Sequence, residues 1–216
     1  MPVENKPVSF GYKMAWLVLR TDDTDRVIEA LGLTNLTPAN WTSGLESAYI
    51  AGDIFVSPPV RGCVFAVGKD LFGAGNETNK SMEPFKEFLR ELSTQFDEVQ
   101  AFASHRIVEY HHWVLARSGS ISRSFAYSGE MGEVWDDEGS KTLSEPRLHL
   151  NPDDDEFNVP DEQWVMEIAG AWSINPQNLD DEPHSSRLGM VGSSETIPCA
   201  RERPRKKKGF RLPWFR

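Results

Sequence analysis

The stretch EVQAFASHRIVEYHHWVLARSGSISRSFAY, residues 98–127, decides the fold class. Three runs rich in β-branched and aromatic residues, Glu98–Ser104, Val108–Ala116 and Ile121–Tyr127, are separated only by short polar breaks. The second break carries Ser118-Gly119, and glycine supplies the backbone freedom that a tight hairpin needs. Connections this short cannot hold a crossover, so the three runs predict an antiparallel meander. Met131–Trp135 reads as a further edge strand, closed by the acidic turn Asp136–Gly139.

Upstream, Ser81 can cap a helix whose apolar residues Met82, Phe85, Phe88, Leu89, Leu92 and Phe96 recur at spacings of three and four. Asp53–Ser57 and Gly62–Gly68 read as two strands interrupted by Pro58 and Pro59, which donate no backbone hydrogen bond. Residues 34–50 lack periodicity and read as loop with a helical turn. Lys13–Leu19 has the apolar content of a buried strand, and Asp22, Asp23 and Thr24 then offer caps to a short helix striped by Val27, Ile28 and Leu31 and ended by Gly32. Downstream, Pro160 suits a first helical position, and Trp164, Val165, Ile168, Ala169 and Trp172 form the apolar face of a third helix. This order does not alternate as a doubly wound sheet requires. It predicts an α+β fold, a mainly antiparallel sheet with about three helices packed on one face. From Leu179 onward the chain is rich in Asp, Glu, Ser, Pro and Gly, which predicts a single acidic domain over 1–178 and a flexible tail over 179–216.

Charge divides the chain more sharply than hydropathy does. Residues 201–216 hold eight of the 23 Lys and Arg and one of the 33 Asp and Glu, so the tail carries +7 and the rest −17. A body of that charge repels phosphate, which argues against a nucleic-acid reader and suits a protein partner with a basic surface. No apolar run reaches the roughly 18 residues that would span a bilayer. The start MPVENKPVSF lacks the basic-then-apolar pattern of a secretory signal, so a cytoplasmic chain is expected. Cys63, in an apolar run, reads as a small buried hydrophobe.

The tail interleaves cations with aromatics: Arg205, Lys206, Lys207, Lys208, Phe210, Arg211, Trp214 and Phe215. Cations near anionic lipid gain roughly 1 kcal/mol each, and Trp and Phe insert at the interface, so peripheral contact with the inner membrane surface is one expectation for this segment. A solvated or self-associating tail, one that reaches a protein, and one that binds nucleic acid against the repulsion of the acidic body stand beside it.

No motif names a reaction. The loop Gly73–Ser81 lies where a phosphate loop belongs, but Ala74 and Asn79 replace the glycines of a Walker loop, and Thr78 replaces the third glycine of a dinucleotide fingerprint. Residues 151–162 place oxygen ligands in an EF-hand register, yet Glu156 occupies the position where that loop turns on glycine. His111 and His112 point to opposite faces of a strand and cannot share an ion. No Gly-x-Ser-x-Gly elbow occurs. These readings predict no metal, no cofactor and no catalytic residue, and they leave two acidic segments as candidate partner surfaces: Asp136, Asp137 and Glu138, and Asp153, Asp154, Asp155 and Glu156.

In layout and composition over residues 10–178, this acidic, Trp-rich α+β body resembles the small bacterial immunity-type proteins that neutralise a paired toxin. The resemblance implies a non-enzymatic protein-binding module that occludes a toxin, with acidic loops meeting basic groups around the toxin's active site. It assigns no individual residue. An enzyme with a site assembled from scattered residues, and a peripheral membrane protein localised by its basic tail, are the alternatives.

Overall fold

Met14–Leu19 have no solvent-exposed surface, and that burial organises everything around them. They form β1 (Met14–Arg20), whose side chains alternate between two cores: Ala15, Leu17 and Leu19 enter one, Met14, Trp16 and Val18 the other. A strand buried on both faces must lie inside a sheet covered on both sides. β1 pairs antiparallel with β4 (Cys63–Val67) on one edge and β5 (Glu98–His105) on the other, which sets Trp16 beside both Val67 and Phe102. The computed structural model describes residues 5–72, 81–149, 158–183 and 185–198.

Among the described residues the sheet has nine strands, in the order β2-β9-β3-β4-β1-β5-β6-β7-β8. The remaining strands are β2 (Thr34–Ala39), β3 (Ile54–Val56), β6 (Tyr110–Arg117), β7 (Ser120–Ser128), β8 (Glu133–Gly139) and β9 (Gly189–Ser193). Every pairing between them is antiparallel. The meander expected from residues 98–127 is β5, β6 and β7. Among the described residues four α-helices cover the sheet: α1 (Thr24–Ala30), α2 (Trp41–Ile50), α3 (Glu83–Phe96) and α4 (Glu162–Trp172). The side chains of Asp23, Asn40 and Asp161 cap α1, α2 and α4 by accepting from the backbone N–H three residues on. Among the described residues no helix is long and apolar enough to cross a membrane.

The fold is α+β and mainly antiparallel, as expected, but its helices lie on both faces. Val27 and Ile28 of α1 join Phe85, Leu89, Leu92 and Phe96 of α3 in one core. Trp41 and Leu45 of α2 join Trp164, Val165 and Ile168 of α4 in the other, where Trp16 stacks on Phe102 at 5.3 Å and Trp113 on Phe125 at 4.6 Å. Such aromatic pairs contribute about 0.5–1.5 kcal/mol beyond their buried area.

Three local expectations also change. Residues 34–50 hold a strand and a full helix. Asp136–Gly139 belong to β8 instead of a turn. Residues 179–198, expected to be flexible tail, supply β9, which inserts between β2 and β3. That insertion depends on glycine. A Cβ at Gly189 would sit 2.4 Å from the Val56 carbonyl oxygen, and one at Gly44 would sit 2.2 Å from the Phe55 ring, so the two glycines let Phe55 pack between α2 and β9. Cleavage after residue 178 should therefore remove an interior strand, uncover β3 and abolish cooperative unfolding. Cleavage after 198 should leave the urea midpoint unchanged, and circular dichroism melts of the two truncations separate these outcomes.

Candidate functional site

The β7–β8 end of the sheet carries two buried cations, one on each face. Lys86 lies on the apolar stripe of α3 beside Phe85 and is 5% exposed. It is met there because β8 bulges: Tyr127 pairs with Val134 and Ala126 with Asp136, leaving Trp135 as the extra residue. Trp135 packs on the α3-side core, and Asp136 takes the same side. Lys86 Nζ donates to Asp136 Oδ1 at 2.9 Å and Glu138 Oε2 at 2.7 Å, and lies 3.2 Å from Glu83 Oε2. Burial opposes its charge, but the Glu138 and Asp136 carboxylates prevail and raise its pKa. Arg90 extends the network to Glu83 and Glu87 at 2.7 and 2.9 Å.

On the opposite face Arg123 is 1% exposed and spreads its guanidinium over four partners, one of them the Ser124 carbonyl at 2.9 Å. It donates to Glu145 through Nε and Nη2, the latter at 2.7 Å, to Asp137 Oδ1 at 2.6 Å, and to the Glu138 carbonyl at 3.0 Å. Glu145 is itself 3% exposed; burial would raise its pKa, but the Arg123 guanidinium and the Thr142 N–H hold it below the usual carboxylate range. Among the described residues, six carboxylates (Glu83, Glu87, Asp136, Asp137, Glu138 and Glu145) share three cations, Lys86, Arg90 and Arg123. The charge is therefore incompletely balanced, and the Asp137 and Glu138 side chains remain 47% and 43% exposed on the last strand of the sheet.

The structure thus puts Asp136, Asp137 and Glu138 on a strand where the sequence suggested a turn, and ties each of them to a buried cation. Asp153, Asp154, Asp155 and Glu156 lie outside the described residues, as do the 73–80 loop and the tail residues Arg205, Lys206, Lys207, Lys208, Phe210, Arg211, Trp214 and Phe215. The ends of the 150–157 segment are joined by an antiparallel bridge between His149 and Asn158, with both backbone hydrogen bonds at 2.9 Å.

A cleft of about 350 Å³ opens between the β5–β6 turn and the N-terminus of α4. Its walls include Tyr12, Arg106, Glu109, His111, Val159, Pro160, Asp161 and Glu162. His111 is 2% exposed and its Nδ1 has no hydrogen-bond partner. Burial, only partly offset by the Asp161 charge, lowers its pKa to about 4, so the ring is neutral at pH 7. Glu162 Oε1 is likewise buried without a partner. Ser104 Oγ lies beside Glu162, close enough to favour its ionisation yet without a hydrogen bond of proper geometry, and burial still raises the carboxyl above its ordinary pKa. Both groups are thus pushed toward their neutral forms on one cleft. A larger concavity of about 420 Å³ between Thr21–Asp25 and Arg187–Met190 has its central carboxylate, Asp23, already engaged as the cap of α1.

His112 faces the other core, against Phe85, and its Nδ1 lies 3.1 Å from the Tyr110 hydroxyl. The expectation that adjacent histidines diverge holds: His111 sits opposite Tyr127 and His112 opposite Ala126, residues of different cores. Among the described residues no cluster suits a metal ion. Sequence reasoning missed Lys86 and Arg123, although each is a lone cation within an otherwise apolar pattern. It also missed His111 with Glu162, whose meeting depends on the packing of α4 against the meander.

Two outcomes follow. Burial lowers the pKa of His112 to about 3 and that of His111 to about 4, both from 6.5. The unfolded chain therefore binds protons that the folded chain refuses, and stability should fall as pH drops from 6.5, by on the order of 1 kcal/mol per unit for each ring. Glu98 and Glu145, with lowered pKa values, act below about 4.5, whereas Glu162, with a raised one, contributes a slope of opposite sign just above it. Urea melts between pH 6.5 and 5.5 isolate the histidines, and His112→Gln should reduce the slope by about half. The second outcome concerns Arg123→Met, which strands the buried Glu145 and should cost about 3–5 kcal/mol, whereas Arg123→Met with Glu145→Met should recover much of that loss in the same melts.

Comparison of the chain with protein-family models, with curated proteins and with solved structures gave no match.

Proposed function

We propose that this chain is a non-enzymatic protein-binding module of the bacterial immunity type, which binds a basic partner, a paired toxin, and occludes it. The observation that carries this reading is the charge excess around β8 and α3, where among the described residues six carboxylates are held by three cations. Fixed carboxylates on a rigid element lose little side-chain entropy on binding, and their surplus charge speeds encounter with a basic surface. No described strand pairs with the outer edge of β8, so backbone groups are available there beside the side chains. The acidic segment Asp153–Glu156 is the second candidate surface, rooted at the His149–Asn158 bridge.

An enzyme is the rival reading, favoured by the cleft in which His111 and Glu162 both have displaced ionisation. The basic tail supplies a separate localisation proposal, peripheral contact with anionic lipid, which loss of membrane fractionation on removing 201–216 would support.

The test of the main reading uses the product of an adjacent toxin-like reading frame. A one-to-one complex is expected, with an association rate that falls as ionic strength rises. Glu87 and Glu138 are 62% and 43% exposed, so Glu87→Gln with Glu138→Gln should preserve the fold. The pair should slow association at low salt by about three- to tenfold with little effect on dissociation. No complex, or an association rate indifferent to salt and to both substitutions, overturns the proposal.

A further inference from the structure

We propose that the cleft at the start of α4 receives a guanidinium group, the arginine side chain of a partner protein. This goes beyond the β8 surface and involves none of its residues. Glu109, Asp161 and Glu162 line the cleft, against one lining cation, Arg106. Asp161 also answers the positive end of α4, accepting from the Trp164 N–H at 2.9 Å, so the charge left to the cleft is that of Glu109 and Glu162 against Arg106, with Lys13 near enough to act on Glu162.

The independent observation is His111 Nδ1, a buried atom without a partner; Glu162 Oε1, beside the Ser104 hydroxyl, makes no hydrogen bond of proper geometry either. His111 is 2% exposed and lines the cleft, so water reaches it poorly and the missing hydrogen bond is costly. Both atoms can accept, the imidazole being neutral, and the complement of two acceptors under net negative charge is a cation that only donates. Guanidinium suits the site better than ammonium. It has five donors in a plane, it is more weakly hydrated, and it stacks on aromatic faces such as the half-exposed Tyr12 at the rim. Val159 and Pro160 provide an apolar wall for the methylene stem. The volume, about 350 Å³, lies near the lower end for small-ligand sites and fits one side chain.

The experiment titrates the nitrogen-15-labelled full chain with N-acetyl-L-arginine methylamide, free L-arginine, the matching lysine and citrulline amides, and inorganic phosphate. The His111 imidazole and the Gln163 amide are followed by NMR. The arginine amide should give saturable shifts and bind about tenfold or more tightly than the uncharged citrulline amide, the value of a charge-assisted hydrogen bond. Glu162→Gln, a near-isosteric change at the first turn of α4, should weaken it by a similar factor while resonances outside the cleft stay in place. Free arginine binding more tightly than the capped amide overturns the assignment to a protein side chain. Equal response to lysine or citrulline, a response to phosphate alone, no saturable shift, or an unaltered Glu162→Gln variant overturns the guanidinium assignment. Glu87 and Glu138 lie outside the cleft, so failure here leaves the salt-dependent association of the β8 surface to be judged separately.

Discussion

The burial of β1 on both faces is the constraint from which the rest of the architecture follows. Six successive side chains with no exposed surface cannot be satisfied by a sheet with one wet face, so helices must cover both sides. α1 and α3 close over Ala15, Leu17 and Leu19, and α2 and α4 over Met14, Trp16 and Val18. Packing α4 against the meander then brings Asp161 and Glu162 to the β5–β6 turn, and packing α3 against the other face brings Lys86 to β8. Neither polar site has a sequence motif because each is a by-product of two-sided coverage.

The buried ion pairs at the β7–β8 end illustrate how electrostatics and topology are joined. A terminal strand has only one neighbour to fix its register, and a bulge at Ala126–Tyr127 shifts that register within it. Lys86 and Arg123 grip β8 from opposite faces, Lys86 through Asp136 and Glu138 and Arg123 through Asp137. A slip by one residue would exchange the faces of all three carboxylates, whereas Glu83 on Lys86 and Glu145 on Arg123 do not depend on the register of β8. The pairs thus tie β8 to α3 on one face and to β7 on the other, and the surplus carboxylates they leave at the surface are the feature that the proposed basic partner would read.

How much of this was legible follows from what each segment's neighbours demand. The meander and α3 are plain in the sequence because their patterns are local: short breaks between β-rich runs, and apolar residues three and four apart. β2 (TNLTPA) has five exposed positions and takes its place from β9, so its own residues carry no strand signal. α2 is hidden because Gly44, placed for Phe55, interrupts its apolar stripe. The uninterrupted apolar content of β1 was the available signal for two-sided coverage, outweighed by an element order that suggested one-sided packing. At the sites, Asp136, Asp137 and Glu138 could be nominated from charge alone, but whether they were loop or strand turned on pairing with β7. His111 and Glu162 are 51 positions apart, and nothing local joins them.

The position of β9 carries a consequence for how the protein comes into being. β3 ends at Val56 and its neighbour in the sheet begins at Gly189, so the ribosome delivers one side of this pairing well before the other. At a synthesis rate of about 10 residues per second, the interval is on the order of ten seconds. Throughout it, β2 has no partner and β3 is paired on one edge only. The nascent chain therefore exposes an open slot of strand width that any extended segment can enter, which makes the final strand a timing element as well as a structural one.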